Sequence, residues 1–117
     1  MTENTQRYDS DLLRGNTYSM LLFLINEHGQ TYGYYLIKEI EKRSGGYFRF
    51  REGTVYPALR KLENEGLILG EWKKLPNGQE RRYYSMTDKG RELLQQKLAM
   101  WNSFASAMAL VMKPAEG

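Results

Sequence analysis

The sequence contains no cysteine and a single histidine, His28, among its 117 residues. The absence of cysteine excludes a disulfide framework and any thiolate metal site, and it is most simply compatible with a reducing cytoplasm. Without a second histidine or paired carboxylates in an apolar context, the chain offers no arrangement typical of acid–base catalysis or of a metal centre. We therefore predict that the protein is not an enzyme and uses no metal or cofactor.

Long hydrophobic runs are also absent. No apolar run approaches the roughly eighteen residues that a membrane span needs, and the polar start at Met1–Asn4 does not resemble a signal peptide. The apolar fraction of 41% and the charged fraction of 26% are ordinary for a soluble globular protein. The sequence therefore predicts a cytoplasmic location and no membrane partner.

Basic charge is concentrated in the middle of the chain. Residues 30–91 hold thirteen Lys or Arg and eight Asp or Glu, a net charge of +5, whereas the two flanks together carry −2. A basic middle between mildly acidic ends indicates a polyanionic partner. From charge alone, a solvated basic face is an equally good interpretation.

Hydrophobic periodicity predicts helices over about 11–27, over about 32–43 after a Thr31 cap, and from about 52–54 to Gly66. The third helix has a buried stripe of Val55, Leu59 and Leu62. Strands over 67–74 and 79–86 flank a turn in which Asn-Gly supplies positive φ angles. Thr87 then caps a last helix that reaches about residue 112.

This order predicts a mainly α fold with a small β-hairpin, namely a winged helix-turn-helix with a C-terminal dimerisation helix. The DNA-binding domain is predicted over 10–86 and the dimerisation helix over 87–112. Residues 1–9 are predicted as a flexible N-terminus and 113–117 as a tail. In this fold the third helix enters a DNA groove and the hairpin is the wing.

The outer face of the third helix is suited to DNA. The residues opposite or flanking its buried stripe are Gly53, Thr54, Tyr56, Pro57, Arg60, Lys61 and Asn64. Short polar groups at the first turn can reach base edges, and cations further along can reach phosphates. An ordinary amphipathic helix explains this face equally well when it is taken alone.

Four cations surround the predicted hairpin turn: Lys73, Lys74, Arg81 and Arg82. They repel one another unless an anion is nearby or solvent screens them. A glycine at the tip, Gly78, lets the backbone approach a sugar-phosphate strand closely. Protection of an edge strand by lysine is the alternative explanation.

Longer motifs resemble the PadR (phenolic acid repressor) family of winged-helix transcriptional regulators. Residues 52–68, EGTVYPALRKLENEGLI, are similar to the recognition helix of that family. Residues 81–90, RRYYSMTDKG, resemble its closing wing strand and the entry to its last helix, while TYGY at 31–34 and LRG at 13–15 resemble its second and first helices. The similarity covers about residues 10–112, and the single C-terminal helix resembles the smaller subgroup of the family.

The resemblance implies a bacterial or archaeal cytoplasmic regulator, usually a repressor, that binds a palindromic operator in double-stranded DNA as a homodimer and is nucleoid-associated when bound. It assigns DNA contacts to Tyr32, Thr54, Tyr56, Lys61, Asn77, Gly78 and Arg81. We add Pro57 and Arg60 from the outer face of the third helix. Tyr32 could equally be a half-buried core phenol. The alternative function is a winged helix that binds protein, which would be expected to lack these cations.

The last helix carries a heptad seam with 4-3-4-3-4 spacing. Its members, with Phe104 widening the stripe, are Leu94, Leu98, Trp101, Ala105, Met108 and Met112. A helix of about 25 residues extends roughly 37 Å, farther than a domain of about eighty residues covers. We therefore predict that a second copy of the chain covers the seam; an intrachain core is the alternative.

The middle of the seam is also predicted to bind an effector. Trp101 and Leu98 lie there, and Ser19 and Phe23 of the first helix could form the adjoining wall. Aromatic faces favour planar ligands, and some PadR-like regulators respond to phenolic or hydrophobic compounds. The resemblance therefore implies a planar hydrophobic effector. A Trp101 that only fills the dimer core is the alternative.

Overall fold

The computed structural model describes residues 15–115. Its elements, in chain order, are α1 (Asn16–His28), β1 (Thr31–Tyr32), α2 (Gly33–Arg43), α3 (Glu52–Asn64), β2 (Ile68–Lys74), β3 (Glu80–Met86) and α4 (Asp88–Val111). The strands form one antiparallel sheet in the order β1–β3–β2. The predicted fold class, three helices and a β-hairpin followed by a long helix, is confirmed.

The core lies where α1, α2 and α3 meet the sheet and the first turns of α4. Val55, Leu59 and Leu62 are buried as predicted, and Ala58 is buried beside them. Removing these apolar side chains from water is the main force that fixes α3 in place. The outer face of α3 is left exposed. No helix within residues 15–115 combines the length and apolar character needed to cross a membrane.

The sheet has one strand more than the sequence predicts. Thr31, predicted to cap the second helix, is instead buried in β1 and pairs with Tyr84, while Tyr32 pairs with Tyr83. The N-cap of α2 is Tyr32, which has extended backbone and makes no side-chain capping bond. Two residues are too few to produce a periodic pattern, so the pairing with β3 is what defines this strand.

Helix α1 begins at Asn16 rather than at the predicted Asp11. Gly15 precedes it with a φ of 82°, a left-handed conformation that an α-helix does not contain. The predicted helical residues 11–14, the predicted flexible segment 1–9 and the last two residues of the predicted tail lie outside the described residues.

The wing turn joins β2 to β3 through a three-residue loop. Its closing hydrogen bonds run from the Leu75 N–H to the Gln79 carbonyl at 2.6 Å and from the Gly78 N–H to the Leu75 carbonyl at 2.9 Å. Only Gly78 has a positive φ, of 92°, so the prediction that Asn77 shares this conformation is wrong. Pro76 instead suits the first central position of a type I turn, which Gly78 then completes as a bulge.

Helix α4 begins one residue after β3 and is fixed there by Thr87. The Thr87 hydroxyl accepts a hydrogen bond from the Gly90 N–H at 3.0 Å, which confirms the predicted cap, and donates to the Gly66 carbonyl at 2.7 Å. Gly90 is buried so closely against the Leu67 carbonyl that a β-carbon has no room. The start of α4 is therefore held on the turn that follows α3.

Candidate nucleic-acid interface

The outer face of α3 is open to solvent. Thr54, Pro57, Arg60 and Lys61 are all exposed, as the sequence predicts for a face turned away from the core. Lys61 Nζ lies 3.6 Å from Glu65 Oε2, and both side chains are at least half exposed. An exposed pair of this kind is weak, so the Lys61 ammonium is available to a phosphate.

Pro57 lies in the second turn of α3, deeper than the first turn, where the sequence argument expects proline to be tolerated. Because proline has no N–H, the Gly53 carbonyl one turn earlier receives no helical hydrogen bond from it. The first turn is held by hydrogen bonds from the Thr54 and Val55 N–H groups to the Arg51 carbonyl, at 2.9 and 3.0 Å. The helix therefore continues through the proline with its exposed face intact.

Tyr56 connects α3 to the start of α2. Its ring packs directly on Gly33, where any β-carbon would overlap the Tyr56 Cε1 atom. Partial burial, helped by the Glu52 carboxylate, raises the pKa of the Tyr56 phenol. The phenol is therefore neutral at ordinary pH and can donate a hydrogen bond to a phosphate or sugar oxygen.

Arg81 is held in place by two tyrosines. Its Cζ atom lies 4.0 Å from the centroid of the Tyr32 ring, and its Nη1 lies 3.5 Å from the Tyr83 hydroxyl, to which it donates. The Tyr32 and Tyr83 rings meet edge to face at 5.4 Å. Tyr32 is thus half-buried beneath a wing arginine.

The wing cations are less free than the sequence suggests. Arg82 forms a salt bridge with Glu63 of α3, so the protein itself supplies the anion that this arginine needs. Lys73 Nζ donates to Gln30 Oε1 at 2.6 Å and lies 5.3 Å from the Tyr83 ring centroid. Sequence reasoning misses both partners, Glu63 and Gln30, because each lies far along the chain from its cation.

A groove of about 540 Å³ with a mixed polar and aromatic lining lies between α3 and the wing. Tyr32, Tyr56, Arg60 and Arg81 line it, so four of the nine predicted DNA-binding residues share one concave surface. Asn77 and Gly78 are exposed at the wing tip and are not among its lining residues. Within residues 15–115, no group of His, Cys, Asp or Glu side chains is arranged to hold a metal ion.

Comparison with known proteins shows to which family the chain belongs. The model of the transcriptional regulator PadR-like family matches residues 21–96. The chain belongs to the PadR-like family. It is therefore a transcriptional regulator of a family that does not consist of enzymes, and the family predicted from the sequence motifs is confirmed.

Relatives of this PadR-like regulator match most of its length. An uncharacterised protein of Lysinibacillus sphaericus is 31% identical over 107 residues, which cover 92% of this chain and 97% of the relative. A PadR-like transcriptional regulator from Bacillus cereus superposes with a TM-score of 0.78 at 30% identity, over 91% of this chain and 100% of that one. Bacillus subtilis PadR, solved in complex with operator DNA, superposes with a TM-score of 0.65 at 27% identity, over 74% of this chain and 48% of that one.

An apolar cavity of about 540 Å³ lies on another side of the PadR-like domain, between α1, α2 and α4. Ser19, Phe23, Leu98 and Trp101, the four predicted effector-binding residues, all line it. The sequence analysis misses the rest of the lining, which consists of Asn16, Met20, Leu24, Ile40, Arg43, Ser44, Phe48 and Lys97. Phe48, in the aromatic stretch at 47–50 between α2 and α3, is the local sequence signal for part of this wall.

Most apolar side chains of α4, including the two that line this cavity, are largely exposed. Trp101 is 55% exposed, Phe104 61% and Met112 65%, Met108 and Leu98 are also exposed, and Ala105 is half-buried. Leu94, predicted for the same seam, is instead only 3% exposed, because the start of α4 packs on the chain's own core. An exposed apolar strip of this kind marks an interaction surface.

Proposed function

We propose that this PadR-like regulator is a repressor that binds double-stranded operator DNA through α3 and the wing. The observation that carries the proposal is the groove between these two elements, where Arg60 and Arg81 face one space together with the neutral Tyr56 phenol. A DNA backbone strand is the natural polyanion for such a groove. The operator complex of the related Bacillus subtilis PadR supports this choice of partner.

The roles of the side chains follow from their positions. Thr54 and Pro57 belong to the first turns of α3, the end that commonly reads base edges in the major groove. Arg60 and Lys61 lie further along, where cations meet phosphates. Asn77, Gly78 and Arg81 on the wing contact the neighbouring backbone in this proposal. The protein acts in the cytoplasm, where the chromosome of a bacterium or archaeon lies.

The regulator acts as a homodimer in this proposal, because the strip of exposed apolar side chains on α4 needs a partner. Trp101, Phe104 and Met108 repeat at helical spacing along that strip. A second copy of α4 supplies the same surface, and a two-fold pairing makes one patch complementary to itself. Two α3 helices then address half-sites about 34 Å apart, which matches a palindromic operator.

A gel shift tests the proposal. The probe is the duplex upstream of the protein's own gene, and the competitor is a scrambled duplex of equal length and composition. We expect preferential binding, which Arg60→Ala and Arg81→Ala weaken. Arg91→Ala is the matched control, since Arg91 lies on α4 and pairs with Asp88 at 2.5 Å. Equal binding of both duplexes would instead favour the alternative function, a winged helix that binds protein.

An effector site is the second part of the proposal. The apolar cavity between α1, α2 and α4 has the size of a small-molecule site, and Trp101 gives it an aromatic face for a planar hydrophobic ligand. Such a ligand releases DNA if its affinity differs between the DNA-competent and DNA-incompetent arrangements of the two α3 helices. A Trp101 that only fills the dimer core is the competing explanation.

Trp101 emission reports on that cavity. Trp72→Phe leaves Trp101 as the one tryptophan, because the chain has only two. We expect planar aromatic compounds to quench its emission and to weaken operator binding over the same concentration range. Phe23→Ala, in the cavity wall, should weaken the response, whereas Leu110→Ala, exposed outside the cavity, should not. Emission and operator affinity that do not change across a broad panel would leave Trp101 as a packing residue.

A further inference from the structure

One salt bridge joins the recognition helix to the wing. Arg82 on β3 directs two nitrogens at the Glu63 carboxylate on α3, with Nη2 bonded to Oε2 and Nε at 3.4 Å from Oε1. The side chains are only 28% and 26% exposed. Among the ion pairs within residues 15–115, this is the one that connects α3 to the sheet. Two-point contact between a guanidinium and a carboxylate fixes direction as well as distance.

The residue of β2 that lies against this pair is a glycine, Gly70. A β-carbon at Gly70 of β2 would lie 2.7 Å from Arg82 Nε and 2.8 Å from Glu63 Oε1, too close for either atom. Glycine weakens a strand, and its presence in a strand interior marks a close approach. The neighbouring Trp72 ring lies 5.3 Å from Arg82 Cζ and covers the guanidinium from the side.

The contacts of Arg82 therefore involve α3, β2 and β3 at once. Its guanidinium binds the Glu63 carboxylate, fits in the space left by Gly70 and lies beside the Trp72 indole ring. The hydrogen bond to Glu63 raises the pKa of Arg82. A cation that is neutralised in this way has little charge left for a phosphate. Glu63 itself lines the groove, and the same pairing offsets the charge of a carboxylate that would otherwise repel DNA there.

We propose that Glu63, Gly70 and Arg82 form a clamp that sets the position of the wing relative to α3. In this role Arg82 is a positioning residue for DNA binding and not a phosphate contact. By fixing the wing against α3, the clamp keeps Arg60 of α3 and Arg81 of the wing on the walls of one groove. The inference rests on the proposed DNA-binding function.

Exchanging the charges of Glu63 and Arg82 distinguishes a role of Arg82 in positioning the wing from a direct contact with phosphate. We would compare Glu63→Arg, Arg82→Glu and the double variant on a duplex that the wild-type protein selects from a random library. Each single variant should weaken binding about tenfold, about 1.4 kcal/mol. The double variant should recover most of both losses, which corresponds to a coupling that approaches about 2.8 kcal/mol. A double variant as weak as Arg82→Glu, with a salt slope about one unit shallower than that of the wild type, would make Arg82 a phosphate contact.

Gly70→Ala tests the clamp without changing any charge. It should weaken binding to the selected duplex while leaving the salt slope and binding to random duplex near their wild-type values. Leu69→Ala is the matched control on β2, since Leu69 is 62% exposed and belongs to no part of the clamp. Unchanged binding by Gly70→Ala would overturn the proposal.

A distance measurement tests the clamp even without DNA. Because the chain has no cysteine, Asn64→Cys and Asn77→Cys place the only two spin labels at the end of α3 and at the wing tip, and dilution with unlabelled protein isolates distances within one chain. We expect Gly70→Ala to broaden or shift the distance distribution, and an unchanged distribution would contradict the clamp. If the wild type selects no duplex, the DNA-binding function fails while this measurement still decides the clamp.

Discussion

The Arg81 guanidinium lies over the Tyr32 ring, with Cζ 4.0 Å from the ring centroid. Tyr32 lies in β1, at the opposite edge of the sheet from β2. It reaches Arg81 because β1 pairs with β3, the strand that carries this arginine. The arginine therefore does not have to be ordered when DNA arrives, which lowers the entropic cost of binding. The two-residue strand serves to place one aromatic ring under one cation.

This arrangement predicts different results for two substitutions of Tyr32. Tyr32→Phe keeps the ring and should retain operator affinity, whereas Tyr32→Ala removes the ring and should cost about 0.5–1 kcal/mol of binding, the usual size of an exposed cation–π contact. Titrations by fluorescence anisotropy measure both. In an Arg81→Ala background the loss from Tyr32→Ala should disappear. Equal losses from Phe and Ala would instead show that the hydroxyl touches DNA.

Thr54 is the residue from which we expect base reading. Thr54→Ala should lower the affinity for a selected duplex by about 1–3 kcal/mol if the hydroxyl meets a base edge, and should lower non-specific binding far less. Competition titrations with selected and random duplexes give the two values. Ser103→Ala, an exposed hydroxyl on α4, controls for the loss of a surface hydroxyl. A similar loss on both duplexes would remove Thr54 from the base-reading set.

Lys61 should behave as a phosphate contact. A dimer that neutralises roughly five to eight phosphates gives a slope of log K against log salt of about −4 to −7. In Lys61→Ala the slope should become shallower by about one unit for each lost contact, and all sequences should bind more weakly. Lys113→Ala, beyond the end of α4, should leave the slope unchanged. A wild-type slope shallower than about −2 would contradict the proposed footprint.

Two substitutions on α4 should separate the dimer surface from the core. Met108→Glu places a charge on the exposed strip and should give a folded monomer that has lost operator affinity. Leu94→Ala should instead lower the free energy of unfolding by about 2–5 kcal/mol, because Leu94 is buried in the chain's own core. Sedimentation and thermal unfolding distinguish the two effects, with Ser106→Glu as a control for added charge. If Met108→Glu remained dimeric, the dimer interface would not lie on this strip of α4.

The sequence predicts well those features that repeat along the chain. The buried stripe of α3 follows from Val55, Leu59 and Leu62, whose 4-3 spacing has one structural solution once the segment is a helix. The Thr87 cap is equally local, since the hydroxyl and the Gly90 N–H are three residues apart. These features need no knowledge of the rest of the fold.

Features that depend on distant partners are not predictable in this way. A heptad pattern places Leu94 on the same stripe as Trp101 but does not say which chain covers it, and the structure assigns Leu94 to the core. From the sequence, Arg82 is indistinguishable from a free wing cation, because its partner Glu63 lies on α3 and meets it only in the folded chain. The one local sign of that pairing is Gly70, a glycine inside a strand pattern.

The tight contact between Gly90 and the Leu67 carbonyl has a mechanical consequence for α4. Eleven residues separate Gly90 from Trp101, about 16 Å along a helix, so a tilt of about 5° around this contact would move Trp101 by roughly 1.4 Å. The wing strand, joined to α4 through Thr87 right beside the pivot, would hardly move. A tilt of α4 about this contact would therefore displace its Trp101 end far more than the end that joins the wing. A partner bound at the far end of α4 would experience the full displacement, whereas the wing of the same chain would experience little of it.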